Sequence, residues 1–135
     1  MFTARSGNFY SAAATDDYIV FTGGVGTPNA VTVYELSTAS TTLSAEGTLN
    51  EARLGHCSAT FDHPTYGTVV AVAGGFEINP ITVEYIIPET AEVILDETAT
   101  NQPSGFYVLF MSCITNEFND GFYMIGGSND GSNPG

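Results

Sequence analysis

Three glycine pairs, Gly23-Gly24, Gly74-Gly75 and Gly126-Gly127, stand 51 and 52 residues apart, and each closes a short apolar run: YIVFT, VVAVA and FYMI. Tyr34 follows Gly23 by 11 positions, and Tyr85 follows Gly74 by the same 11. A further match precedes the first two pairs, since Ala52-Arg53-Leu54-Gly55 repeats Ala4-Arg5-Ser6-Gly7. Runs of four to eight apolar and β-branched residues between Gly and Pro signals read as strands. No segment carries apolar residues at helical spacing over three turns. Self-similarity at about fifty residues implies a chain of repeated small β-units.

Taken in order, residues 3–50 form the first unit. Its strands are expected at Asn8–Ala14, Tyr18–Thr22, Ala30–Leu36 and, more weakly, Thr41–Ala45. Asp16-Asp17 form a turn, and Gly23–Asn29 a loop whose glycines and Pro28 would not suit a strand interior. Residues 51–101 repeat the order with strands at His56–Phe61, Thr68–Ala73, Ile81–Ile87 and Glu92–Leu95. Residues 102–127 supply only half a unit, with strands at Phe106–Ile114 and Phe122–Ile125 around a turn at Asn116–Gly121. Residues 128–135 read as a flexible polar tail.

The best copy, Glu51–Val93, resembles the kelch repeat family through Arg53, Gly55, His56, Gly74, Gly75, Tyr85, Pro88 and Thr90. Arg5, Gly23, Gly24, Tyr34, Gly126 and Gly127 extend that motif to the other two units. The chain departs from the family in having no Trp. The resemblance implies an all-β fold: a kelch-like β-propeller fragment of four-stranded antiparallel blades, spanning residues 1–135. Two and a half blades cannot close a ring, so the chain is expected to self-associate or to need the rest of a propeller.

Charge bounds the partners. Fifteen acidic residues face two arginines and no lysine, a formal net charge of −13. Such a chain lacks the cations that neutralise phosphates or anionic lipids, which argues against nucleic acid and membrane surfaces. A protein partner is expected instead, and a basic one would suit the acidic surface. No run of about 20 apolar residues offers a membrane span, and Met1–Arg5 leads into the first unit without a signal-peptide core. The compartment stays open. Cys57 and Cys113 occupy non-equivalent repeat positions and are expected to be buried reduced thiols, which pack like small apolar groups.

No catalytic constellation emerges. Asp16-Asp17, Asp96-Glu97 and Glu117…Asp120 lie in turn-like contexts and read as solvated carboxylates. His56, Cys57 and His63 have no metal-ligand spacing, no serine sits in a nucleophile elbow, and no cofactor or metal is expected. The glycine pairs need no ligand, because glycine tolerates positive φ and close backbone approach. Arg5 and Arg53 are each expected to pair with a neighbouring carboxylate. What the resemblance implies is a protein-interaction module, with the loops after the glycine pairs and between units on one face. Its candidate partner-binding residues are Val25, Asn29, Phe76, Glu77, Ile78, Asn79, Asn129 and Asp130. The alternative is a fragment of a propeller enzyme resembling galactose oxidase.

Overall fold

The computed structural model describes residues 10–37, 40–75, 82–96, 98 and 109–128. These residues form ten strands and, among them, no helix: β1 Ser11–Ala14, β2 Tyr18–Thr22, β3 Ala30–Leu36, β4 Thr41–Thr48, β5 Cys57–His63, β6 Gly67–Ala73, β7 Val83–Ile87, β8 Glu92–Asp96, β9 Leu109–Thr115 and β10 Phe122–Ser128. Strands β1 to β4 make one antiparallel meander, β5 to β8 a second, and β9 with β10 a two-stranded sheet. The chain is therefore all-β, with antiparallel four-stranded sheets.

Period-two alternation gives each sheet two faces. From sheet 1, Val20, Val31 and Val33 pack against Val70, Val72 and Ile86 of sheet 2. The opposite face of sheet 2 presents Phe61, Val69, Ala71, Ala73, Val83 and Tyr85, and packs on Phe122 and Met124 of sheet 3. Sheet 2 is thus the middle layer, buried on both faces, which explains why VVAVA is continuously apolar rather than alternating. Gly47 in β4 leaves room for the backbone of Ala91, at the β7–β8 turn of the next sheet.

The sheets step along by one repeated contact. β1 lies against β5 and β5 against β9, whereas β4 and β8 meet only marginally. Thr60 donates its hydroxyl to the Ala14 carbonyl at 2.9 Å, and Thr115 donates to the Thr60 carbonyl at 2.6 Å. The cross-strand registers make Ser11 equivalent to Cys57, and Ser58 to Cys113. The Ser11–Ser58 hydroxyl pair, 2.6 Å apart, accordingly occupies the place in the first interface that a Cys57–Cys113 disulfide occupies in the second. That bond corrects one expectation. The cysteines are oxidised, not free thiols, and they are neighbours because position 57 faces forward from sheet 2 while position 113 faces back from sheet 3.

Further readings change. Tyr34 and Tyr85 share a sequence offset but not a face: Val33 pairs with Val20 as Tyr85 pairs with Ala71. Thr22 pairs with Val31 and Ala73 with Val83, so the first loop between paired residues is one residue shorter, and a one-residue shift turns a side chain to the other side of its sheet. β10 also continues through its glycine pair, with Gly126 opposite Met111 and Ser128 opposite Leu109, rather than ending at Ile125. β4 reaches Thr48, three residues beyond the expected end, and β5 runs on to His63. The expected tail, apart from Ser128 at the end of β10, lies outside the described residues.

Candidate functional site

An antiparallel meander puts alternate connections at opposite ends. At one end lie the glycine pairs and the link from sheet 1 to sheet 2; at the other lie the β1–β2, β3–β4, β5–β6, β7–β8 and β9–β10 turns.

The glycine end is built around Arg53. Its backbone joins the β2–β3 loop, donating to the Pro28 carbonyl at 2.7 Å and accepting from the Gly24 amide at 3.2 Å. Its side chain reaches into sheet 2. Nε donates to Glu84 Oε1 at 3.0 Å, one terminal nitrogen to the Gly74 carbonyl at 2.7 Å, and the other to Thr82 Oγ1 at 2.8 Å. Both ionic side chains have 0% relative exposure, and a terminal nitrogen also lies 3.0 Å from Glu84 Oε1. Glu84 is saturated as well, accepting from the Asn50 amide and side chain and from the Glu51 amide. Burial pushes the Arg53 guanidinium below its ordinary pKa, and the charge of Glu84 opposes that shift. Every donor arm of Arg53 is engaged in holding protein to protein, which leaves no free arm for a ligand. Arg53 thus has the carboxylate partner expected of it.

Beside it, His56 Nε2 pairs with Thr22 Oγ1 at 2.8 Å across the sheet 1–sheet 2 junction, while Nδ1 is buried without a partner. Burial, then the Arg53 charge, lowers its pKa to about 4, so the ring is neutral at pH 7. Gly23 and Gly24 adopt φ of 62° and 97°. A Cβ on Gly23 would meet the Arg53 carbonyl at 2.5 Å and the His56 ring at 2.6 Å. The motif residues Gly23, Gly24, Arg53, Gly55, His56, Gly74 and Gly75 therefore form one structural joint. Tyr85 lies apart from it, donating to Asp96 Oδ2 at 2.8 Å and packing edge-on to Phe61. Burial, helped by that hydrogen bond and the Asp96 charge, raises the Tyr85 pKa.

Of the candidate partner-binding residues at this end, Val25 is exposed, at 48%, and Asn29 is exposed too. Phe76, Glu77, Ile78, Asn79, Asn129 and Asp130 lie outside the described residues, as does Arg5.

The opposite end carries an open cavity of about 470 Å³ between sheets 1 and 2. The β1–β2 turn contributes Asp16 and Asp17, the β7–β8 turn Pro88 and Glu89, and β5 contributes Thr60 and Asp62. Thr15 shapes the first turn by accepting from the Tyr18 amide at 3.0 Å. Asp62 is oriented by Thr68 Oγ1 and Asn119 Nδ2, each 2.7 Å away. Tyr18 also lines the cavity, and its pKa is raised by desolvation and then by Glu35, Glu89 and Asp17. No basic side chain lines the cavity. Among the described residues, no group of three His, Cys, Asp or Glu is arranged to hold a metal ion.

Sequence reasoning treated Asp16-Asp17 as solvated, and they are exposed; that turns far apart in sequence meet around one cavity required the stacking of the sheets. Glu84 was missed. A lone carboxylate in the apolar strand VEYII was its signal, because a buried charge demands a partner. No family model matches the chain, and no curated protein matches it.

Proposed function

We propose that the chain is a protein-interaction module built from kelch-like repeats, and that it binds a basic segment of a partner at the acidic end of its stacked sheets. The kelch-like reading is supported by the repeated meanders, their adjoining first strands and the Arg53 joint at the glycine pair. The binding surface is argued from one observation: the cavity lined by Asp16, Asp17, Asp62 and Glu89 without a compensating cation. Carboxylates gathered at a concave surface focus negative potential, which speeds encounter with a cationic partner and orients it. Among the described residues of the glycine end, the charged pair Arg53 and Glu84 is consumed by internal bonds.

The test is binding of a lysine-rich decapeptide to the full chain across a salt series. Replacing Asp16→Asn, Asp17→Asn and Glu89→Gln together is expected to weaken binding at least tenfold. Replacing the exposed Glu46, Glu92 and Glu117 by Gln removes equal charge elsewhere and is expected to leave binding within about threefold. Equal loss in the two triple variants would mean diffuse attraction to a −13 chain, and the site would be abandoned.

A further inference from the structure

Asp62 is held at both of its carboxylate oxygens. Thr68 Oγ1, on β6 of the same sheet, donates to Oδ1 at 2.7 Å, and Asn119 Nδ2, in the β9–β10 turn of sheet 3, donates to Oδ2 at 2.7 Å. The contact with Asn119 is reciprocal, because the Asp62 amide donates to the Asn119 carbonyl at 2.8 Å. Asn119 therefore grips one residue of β5 through main chain and side chain together. It also lines the cavity itself, so sheet 3 adds a third wall to a site otherwise built from sheets 1 and 2.

The turn that carries Asn119 is built as an arm. Asn119 has a φ of 56°, a left-handed conformation in which asparagine is several-fold enriched among non-glycine residues. The Asn119 amide donates to the Asn116 carbonyl at 3.1 Å, the Asn116 amide to the Gly121 carbonyl at 3.0 Å, and the Asp120 amide to Asn116 Oδ1 at 3.1 Å. With the turn closed on itself, its reach to β5 depends on where sheet 3 sits. Sheet 3 is fixed to sheet 2 by the Cys57–Cys113 bond, by the Thr115 hydroxyl on the Thr60 carbonyl, and by the packing of Phe122 and Met124. Of these, the sulfur bond is the one a reductant can break. Cys57 is buried, at 4% exposure, whereas Cys113 is half-buried, so Cys113 Sγ is the sulfur that an incoming thiol meets.

We infer that Asn119 is a positioning residue of the acidic cavity, acting through Asp62, and that the Cys57–Cys113 bond makes the cavity redox-dependent: a dithiol reductant that opens the bond loosens the β9–β10 turn from β5 and weakens the hold on a cationic segment. The inference rests on the reading of the cavity as a binding surface. In the exchange a reductant thiolate attacks Cys113 Sγ, the S–S bond breaks, and Cys57 leaves as a thiolate. The second reductant thiol then attacks the reductant's own bridging sulfur and expels the Cys113 thiolate. The dithiol ends as a cyclic disulfide, and its two protons end on the two cysteines.

The test compares the full chain with and without dithiothreitol, first with no ligand present. Reduction is expected to quicken exchange of the Asp62 amide by about tenfold or more, while β6 and β7 keep their protection. Unchanged Asp62 exchange, or loss of protection throughout β6 and β7, would overturn the inference. Binding of the lysine-rich decapeptide is expected to weaken about threefold on reduction, the worth of one exposed ion pair. The Cys57→Ser, Cys113→Ser double variant should show no response to the dithiol. Asn119→Gly keeps the positive φ and removes only the side-chain amide. In the oxidised chain it should weaken the peptide by the same factor, and in an Asp62→Asn background it should change nothing. A loss that persists without the Asp62 carboxylate would mean a merely structural role, and the positioning of Asp62 would be abandoned. A peptide that does not bind the oxidised chain sinks the cavity reading and this inference with it; a peptide that binds equally before and after reduction sinks this inference alone.

Discussion

Arg53 and Glu84, both fully buried, join sheet 1 to sheet 2 through an ion pair whose every remaining arm is hydrogen-bonded to backbone or side chain. Removing one member leaves the other charged, desolvated and unpaired, which costs about 3–5 kcal/mol. Arg53→Met is expected to destabilise the chain by that amount in urea unfolding. Arg53→Lys should recover less than half of it, because one ammonium cannot reach Glu84, the Gly74 carbonyl and Thr82 together.

His56 makes stability pH-dependent in a defined window. Its folded pKa of about 4 lies below the unfolded value of 6.5, so the unfolded chain binds the proton more readily. The stabilisation is fully present above pH 6.5 and is lost as pH falls toward 4, amounting to about 3 kcal/mol. His56→Gln is expected to flatten the pH profile of unfolding between 6.5 and 4, relative to the native chain measured over the same range.

Gly23 and Gly126 should respond unequally to alanine. Both need positive φ, which costs an L-residue about 1–2 kcal/mol, but only Gly23 faces the Arg53 carbonyl. Gly126→Ala is expected to lose no more than that backbone cost, and Gly23→Ala clearly more. Equal losses would mean that the Arg53 joint yields easily.

The Cys57–Cys113 bond closes a loop with a sequence separation of 56, for which the chain-entropy model gives about 4 kcal/mol. Reduction is expected to lower the thermal midpoint and to release sheet 3 before sheets 1 and 2. The Cys57→Ser, Cys113→Ser double variant should still fold, because Ser11 and Ser58 already make the equivalent contact. Exchange protection in β9 and β10 would report the outcome. A disulfide of this kind persists in oxidising compartments, which directs expression of the chain toward such conditions.

Much of the fold could be read from residue pattern. Tyr18–Thr22, Ala30–Leu36 and the Asn116–Gly121 turn stand where apolar runs and turn residues put them, since strand and turn signals are local. The glycine pairs do mark the repeat. What failed was information that depends on register. Tyr34 looked like the partner of Tyr85 because counting along a chain ignores the one residue by which two loops differ. Cys57 and Cys113 looked unrelated because equivalence by position hides the fact that neighbouring sheets touch through opposite faces. The acidic cavity was illegible for the same reason: Asp16, Asp62 and Glu89 become neighbours only once sheets 1 and 2 are stacked.

The sulfur bridge between β5 and β9 also sets a mechanical limit. Pulled by its two ends, the oxidised chain transmits tension from β5 straight into β9, and the segment between them carries none. About 190 Å of contour, for a separation of 56 residues at 3.3–3.6 Å each, stays slack until the bond is cut. Sheet 2 lies almost wholly within that loop, so its strands cannot be drawn out end to end until the bond is cut.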